Sequence, residues 1–158
     1  MQAYLVASGV FALDRLTKWV IETRVSEFET HTVIPGFFDI VHARNRGAAF
    51  SFLADVNSPW RDAFLIVVSM GALIVVASML RKTEQLDRAT TWALTLILGG
   101  ALGNVFDRLV FGSVTDFLDF YVGAAHWPAF NVADSAIVCG SGLLLLGLLK
   151  SKSQPAQT

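Results

Sequence analysis

The 158-residue chain contains a single cysteine, Cys139, so it can form neither an internal disulfide nor a CxxC pair for zinc or redox chemistry. It has no surplus of either charge: twelve Lys and Arg stand against thirteen Asp and Glu, a formal net charge of −1. That argues against nucleic acid as the main partner, because phosphate binding needs a basic surplus on one face. His31, His42 and His126 show no metal-ligand spacing and no HExxH, and no GxSxG or serine–lysine arrangement is present. Charge of any kind is scarce, 16% of residues where soluble domains carry about 25%. Apolar residues fill the gap, at 54% of the chain with a mean hydropathy of +0.55. One integral membrane domain over residues 1–158 is the class this arithmetic leaves.

Long charge-free runs supply the spans. Ala63 to Leu80 and Ala89 to Phe106 are each eighteen residues without a charge, and the eighteen from Val132 to Leu149 contain only Asp134. Eighteen helical residues rise roughly 27 Å, close to the hydrocarbon thickness. A fourth candidate, Tyr4 to Ile21, carries Asp14, Arg15 and Lys18 near its end. It fits a cleavable signal peptide poorly, since "MQAYLVASG" has no basic leader and charges occupy the place of a small-residue cleavage site. Spans over about 4–21, 63–80, 91–111 and 132–149 are therefore expected. Gly99 and Gly103 in "GGALG", and Gly140, Gly142 and Gly147, read as close helix packing. Cys139 reads as a small packing residue.

Four spans place both termini and the 81–88 loop on one side, with Arg81, Lys82, Arg88, Lys150 and Lys152. The opposite side carries Arg24, Arg44, Arg46 and Arg61, all in the long 22–62 connection. The shorter connections obey the positive-inside rule best, and they favour cytoplasmic termini. Chain polarity then brings Asp14 and Lys18, Asn104, Asp107 and Arg108, and Asn131 and Asp134 to one depth near the outer leaflet. Ionisable residues in spans are costly and usually face a bundle interior, a cavity or each other. Within 22–62, "HTVIPGFFDIVHARN" has the β-branched and aromatic content of a small sheet turning at Pro35-Gly36. "RGAAFSFL" suits the membrane interface, and "SPWRDAF" reads as a helix start with Ser58 as N-cap, Pro59 at the first position and Trp60 at headgroup level.

The segment from Gly103 to Ser135 gathers four carboxylates, Asp107, Asp116, Asp119 and Asp134, beside Asn104, Arg108 and Asn131. Two carboxylates held together in a partly dry site share a proton, so one can activate water while the other protonates a leaving group. Asparagine and arginine nearby can orient the pair and a scissile carbonyl. These residue types alone leave open which two aspartates pair. Asp107 with Arg108 also fits a structural cluster, Asp119 a solvated group, and Asp134 a helix cap.

Five blocks in order carry a specific likeness: "DRLTK" at 14–18, "NRGAAFSF" at 45–52, "GGALGNVFDRL" at 99–109, "VTDF" at 114–117 and "FNVADS" at 130–135. With these the chain resembles the bacterial lipoprotein signal peptidases, signal peptidase II, four-span aspartic peptidases of the cytoplasmic (inner) membrane. The resemblance implies an all-α membrane fold of four transmembrane helices with a small extracytoplasmic sheet and a short interfacial helix. It implies Asp116 and Asp134 as the catalytic pair, Asn45, Gly47, Asn104, Arg108 and Asn131 around them, and Asp14 and Lys18 in support. Asp119 lies outside the pattern. The implied substrate is a diacylglyceryl-modified prolipoprotein, cut just before its lipidated cysteine by a monomeric enzyme that needs no metal or organic cofactor. A transporter would instead place polar residues along the whole depth, yet the inner halves of spans two to four are nearly bare. A purely structural subunit would leave the clustered Asp, Asn and Arg without a role.

Overall fold

The computed structural model describes residues 2–47 and 59–152. Four long helices, α1 (Gln2–Arg24), α2 (Pro59–Leu80), α3 (Arg88–Phe111) and α4 (Val132–Lys152), carry the apolar runs. Three of them are long and apolar enough to cross a membrane: α2 over Ala63–Leu80, α3 over its whole length and α4 over Val132–Lys150. α1 has the length, but Asp14, Arg15 and Lys18 crowd its second half. Val67, Ile74 and Leu148 stand 69%, 65% and 59% exposed, the outward apolar faces of helices that meet lipid rather than water.

α3 is the central helix, and its ends are set locally. Asp87 caps its start by accepting from Thr90 N at 3.0 Å, and Gly112 ends it in the left-handed region at φ +70°. Its glycines let neighbours approach at backbone distance. A Cβ on Gly99 would sit 2.7 Å from Ala7 O of α1, and one on Gly103 would strike the Asp14 carboxylate. Gly100 faces Ala133 O in the same way, and Gly140 of α4 faces Ala93 O. Leu73, Leu80, Leu94, Leu98 and Val105 complete the buried contact between α2 and α3.

The sheet is larger than the one expected over 31–44. β1 (Thr30–Ile34) and β2 (Phe38–Asn45) are joined by β3 (Val114–Val122) and β4 (Ala125–His126) in the order β1-β2-β3-β4, each neighbour antiparallel. The protein is therefore not all-α: the segment after α3, expected as a connection, pairs along β2. "VTDFLDFYV" has the β-branched and aromatic alternation of a strand, so its signal was present in the sequence. An irregularity between Ile40 and Ala43 sets Ala43 opposite Asp116 and Asn45 opposite Val114. His42 within it is buried and donates through Nδ1 to Val25 O at 2.8 Å, tying the sheet to the end of α1. The helix start expected at Pro59 is the start of α2, and residues 59–62 are its first turn rather than a separate interfacial helix. Ser58 and most of "RGAAFSFL" lie outside the described residues.

Candidate active site

Asp116 comes from β3 and Asp134 from the first turn of α4, and asparagines hold both. Asp116 Oδ2 accepts from Asn45 Nδ2 at 2.9 Å, and its Oδ1 from Asn131 Nδ2 at 2.7 Å. Asp134 Oδ1 accepts from Asn104 Nδ2 at 2.7 Å. Asn131 and Asp134 also form a reciprocal cap: Asp134 N donates to Asn131 Oδ1 at 2.9 Å and Asn131 N to Asp134 Oδ2 at 3.3 Å. Asn131, fully buried, thus touches both aspartates. Burial first, and the charge of Asp134 second, push the Asp116 carboxyl up from 3.8 to about 7. Asp116 and Asp134 are thus near enough to act on each other electrostatically, and Asn131 bridges them.

Beneath this pair lies a dry ionic cluster. Lys18 Nζ donates to Asp14 Oδ2 at 2.8 Å and to Asn104 Oδ1 at 3.0 Å, and forms an ion pair with Asp107 Oδ2 at 2.7 Å. Asp14 Oδ1 accepts from Ala133 N at 2.9 Å, joining α1 to the start of α4. Lys18 therefore fixes which end of the Asn104 amide faces Asp134. Asp107 pairs with Arg15 and Lys18 of α1, not with its neighbour Arg108, since adjacent residues on a helix point about 100° apart. Arg108 instead donates to Gly47 O at 2.9 Å and Asn104 O at 3.3 Å. Gly47 N donates to Asn45 Oδ1 at 2.8 Å, so Gly47 links the Arg108 and Asn45 sides of the site.

Sequence reasoning missed Arg15, Glu22 and Thr115. Arg15 pairs with Asp107 and with Glu22 at 3.6 Å, and Thr115 Oγ1 donates to Glu22 Oε1 at 2.8 Å, so α1 is stitched to β3 beside Asp116. Arg15 and Glu22 are seven apart on a helix and share a face, a signal the charge count alone did not use. Asp119 is not simply solvated; it meets His126 Nδ1 at 2.9 Å.

The aspartates open onto a cavity of about 670 Å³ between α2, α3, α4 and the sheet. Asn45, Asn104 and Arg108 share its polar wall with Asp116 and Asp134, and Leu65, Val68 and Ile137 belong to its apolar wall. Cys139 is exposed on that wall, not buried in helix packing. The arrangement places two carboxylates at the margin of an apolar chamber of small-molecule or peptide dimensions.

Solved structures share this architecture. One, described as a bacterial membrane enzyme structure by the in meso method, matches with a TM-score of 0.87 at 31% identity, over 99% of this chain and 93% of its own. A second of the same description matches with a TM-score of 0.81 at 33% identity, over 94% and 93%. The class that fold and site define is that of a membrane enzyme. The family model of signal peptidase (SPase) II matches residues 6–150, so this chain belongs to the signal peptidase II family. The lipoprotein signal peptidase of Solibacter usitatus is 59% identical over 155 residues, covering 98% of this chain and 94% of that protein. That of Geobacter sulfurreducens is 46% identical over 151 residues, covering 96% and 93%.

Proposed function

We propose that this peptidase is an aspartic endopeptidase in which Asp116 and Asp134 are the catalytic pair. As a signal peptidase II it removes signal peptides from lipoproteins. The observation that carries the aspartic assignment is the pair itself: two carboxylates joined through Asn131, one of them held near neutrality, at the edge of an apolar cavity. With one proton shared between them, the ionised carboxylate takes a proton from water as it attacks the scissile carbonyl. The protonated one delivers its proton to the leaving nitrogen, and the pair is reset. Asn45, Asn104 and Asn131 keep the carboxyl planes in place, and Arg108, on the same wall, is placed to orient the scissile peptide.

The substrate is a diacylglyceryl-modified prolipoprotein, cut just before the lipidated cysteine. Its apolar signal segment and acyl chains suit the apolar wall, while the bond to be cut meets the polar one. The chain works as a monomer in the bacterial cytoplasmic (inner) membrane. α1 is the fourth span alongside the three apolar helices, its charges neutralised in the Lys18 and Arg15 cluster. Both termini are cytoplasmic and the dyad lies near the outer leaflet, the depth of a peptide bond next to a lipid anchor. The test is a gel-shift assay with purified protein and a diacylated precursor. Wild type should shift the precursor, and Asp116→Asn and Asp134→Asn should each remove nearly all cleavage while retaining the fold. Cleavage at the wild-type rate by either variant would refute the dyad.

A further inference from the structure

Asp119 and His126 lie outside the dyad and its ionic support, yet they are not idle. His126 Nδ1 lies 2.9 Å from Asp119 Oδ2 and 3.1 Å from Oδ1, and the imidazole stacks on Tyr121 with centroids 4.7 Å apart and planes 11° from parallel. Tyr121 is itself pinned: its hydroxyl donates to Asp39 Oδ1 at 3.3 Å and accepts from Gly36 N at 3.2 Å, and its backbone N donates to Phe37 O at 2.9 Å. His126 is thus fastened to a fixed part of the sheet.

The segment that follows His126 belongs to the cavity. Trp127 and Phe130 line it together with Asp116 and Asp134, and Asn131 comes next in the chain. The far end of this segment is well held: Phe130 N donates to Leu118 O at 3.1 Å, and Phe130 stacks on Phe120, which stacks on Phe38. The near end has less backbone support. β4 is two residues long, pairing His126 with Tyr121 and Ala125 with Val122, and one further bond runs from Trp127 N to Phe120 O at 2.7 Å. So short a ladder defines a position weakly, and the Asp119–His126–Tyr121 contacts supply what the backbone lacks.

We propose that Asp119 and His126 form a latch that holds Trp127 in the cavity wall, which makes both of them positioning residues for substrate binding. The inference rests on reading the cavity as the substrate site. A single side-chain hydrogen bond with one partner half-exposed contributes little to global stability, so its effect falls on the fit of the substrate and not on the fold. Chemistry at the dyad, anchored separately through Asn45, Asn104 and Asn131, proceeds at its own rate once substrate is bound.

The experiment measures kcat and KM for the purified full-length enzyme on a diacylated precursor, comparing wild type, His126→Ala, Asp119→Ala, the double variant and His126→Asn. Each single alanine variant should raise KM roughly threefold to tenfold with kcat within roughly twofold of wild type, the scale of one charge-assisted hydrogen bond. The double variant should be no worse than either single, since both remove the same interaction. His126→Asn should recover most of the affinity, because its amide nitrogen replaces Nδ1. Should Asp119→Ala fold poorly, His126→Ala at its half-exposed position decides alone. An unchanged KM in His126→Ala, or additive effects in the double variant, would overturn the latch. Asp116→Asn measured alongside separates the two readings. If it cleaves like wild type the dyad falls, whereas if it is inactive while His126→Ala keeps the wild-type KM, only the latch falls.

Discussion

Replacing Lys18 by methionine keeps most of the side-chain volume and removes one charge from a site with no solvent access. The loss would strand Asp14, whose ion-pair partner is Lys18, and would leave Asp107 with Arg15 alone. Breaking a buried pair by deleting one partner costs about 3–5 kcal/mol, because the remaining charge stays in a dry environment uncompensated. Against a total stability of about 5–15 kcal/mol this is a large fraction. At about 2–4 °C per kcal/mol for a chain of this size, the melting temperature in detergent should fall by roughly 6–20 °C. Asn104 would also lose the donor that orients its amide toward Asp134, so turnover by the folded fraction should fall, though by less than in Asp116→Asn. Adding Asp14→Asn to Lys18→Met removes the stranded anion and should recover part of the melting temperature. The assay pairs thermal unfolding with initial rates on the folded fraction. A Lys18→Met enzyme with wild-type stability and no turnover would refute this reasoning and place Lys18 in the reaction itself.

Other outcomes follow from the same coordinates. Asp116, raised from 3.8 to about 7, contributes stability that is fully present below about 4 and lost as pH rises through about 7. The melting temperature should therefore decline over that window in wild type and lose this component in Asp116→Asn. Activity should show a descending alkaline limb near 7, where the pair loses its shared proton, and a second limb in acid where both carboxyls are protonated; a rate that climbs steadily with pH would contradict the shared proton. Gly100→Ala and Gly103→Ala would drive a Cβ into Ala133 O and the Asp14 carboxylate and should destabilise by about 1–3 kcal/mol, whereas Gly142→Ala meets open space and should be neutral or slightly stabilising. Thermal melts that rank Gly142→Ala with the other two would sink this account of helix packing. Cys139→Ala should keep full activity, while alkylation of Cys139 by a bulky thiol reagent should obstruct the cavity in wild type and leave Cys139→Ala unaffected; inhibition of both alike would remove Cys139 from the cavity wall.

The sequence by itself determined the apolar helices and the identity of most polar residues in the site. Hydropathy is a local property, so runs such as Ala63 to Leu80 declare themselves without a fold. The motifs likewise named Asn45, Asn104, Arg108, Asn131, Asp116 and Asp134 before any geometry. The choice of partners belonged to the tertiary structure. Asp107 stands next to Arg108 in the chain but pairs with Arg15 and Lys18, because the helical repeat turns neighbours apart and the α1–α3 glycine contact brings the other helix close. Val114 to Val122 carries a strand's local pattern, but its pairing along β2, about seventy residues away in the chain, is a contact that local pattern cannot encode. Asp119 meets His126 across the local β3–β4 turn, whereas Cys139 came to face a cavity instead of a helix because distant helices pack around it. Which side of an element meets which neighbour is decided by packing among distant segments, and the one-dimensional pattern holds only the candidates.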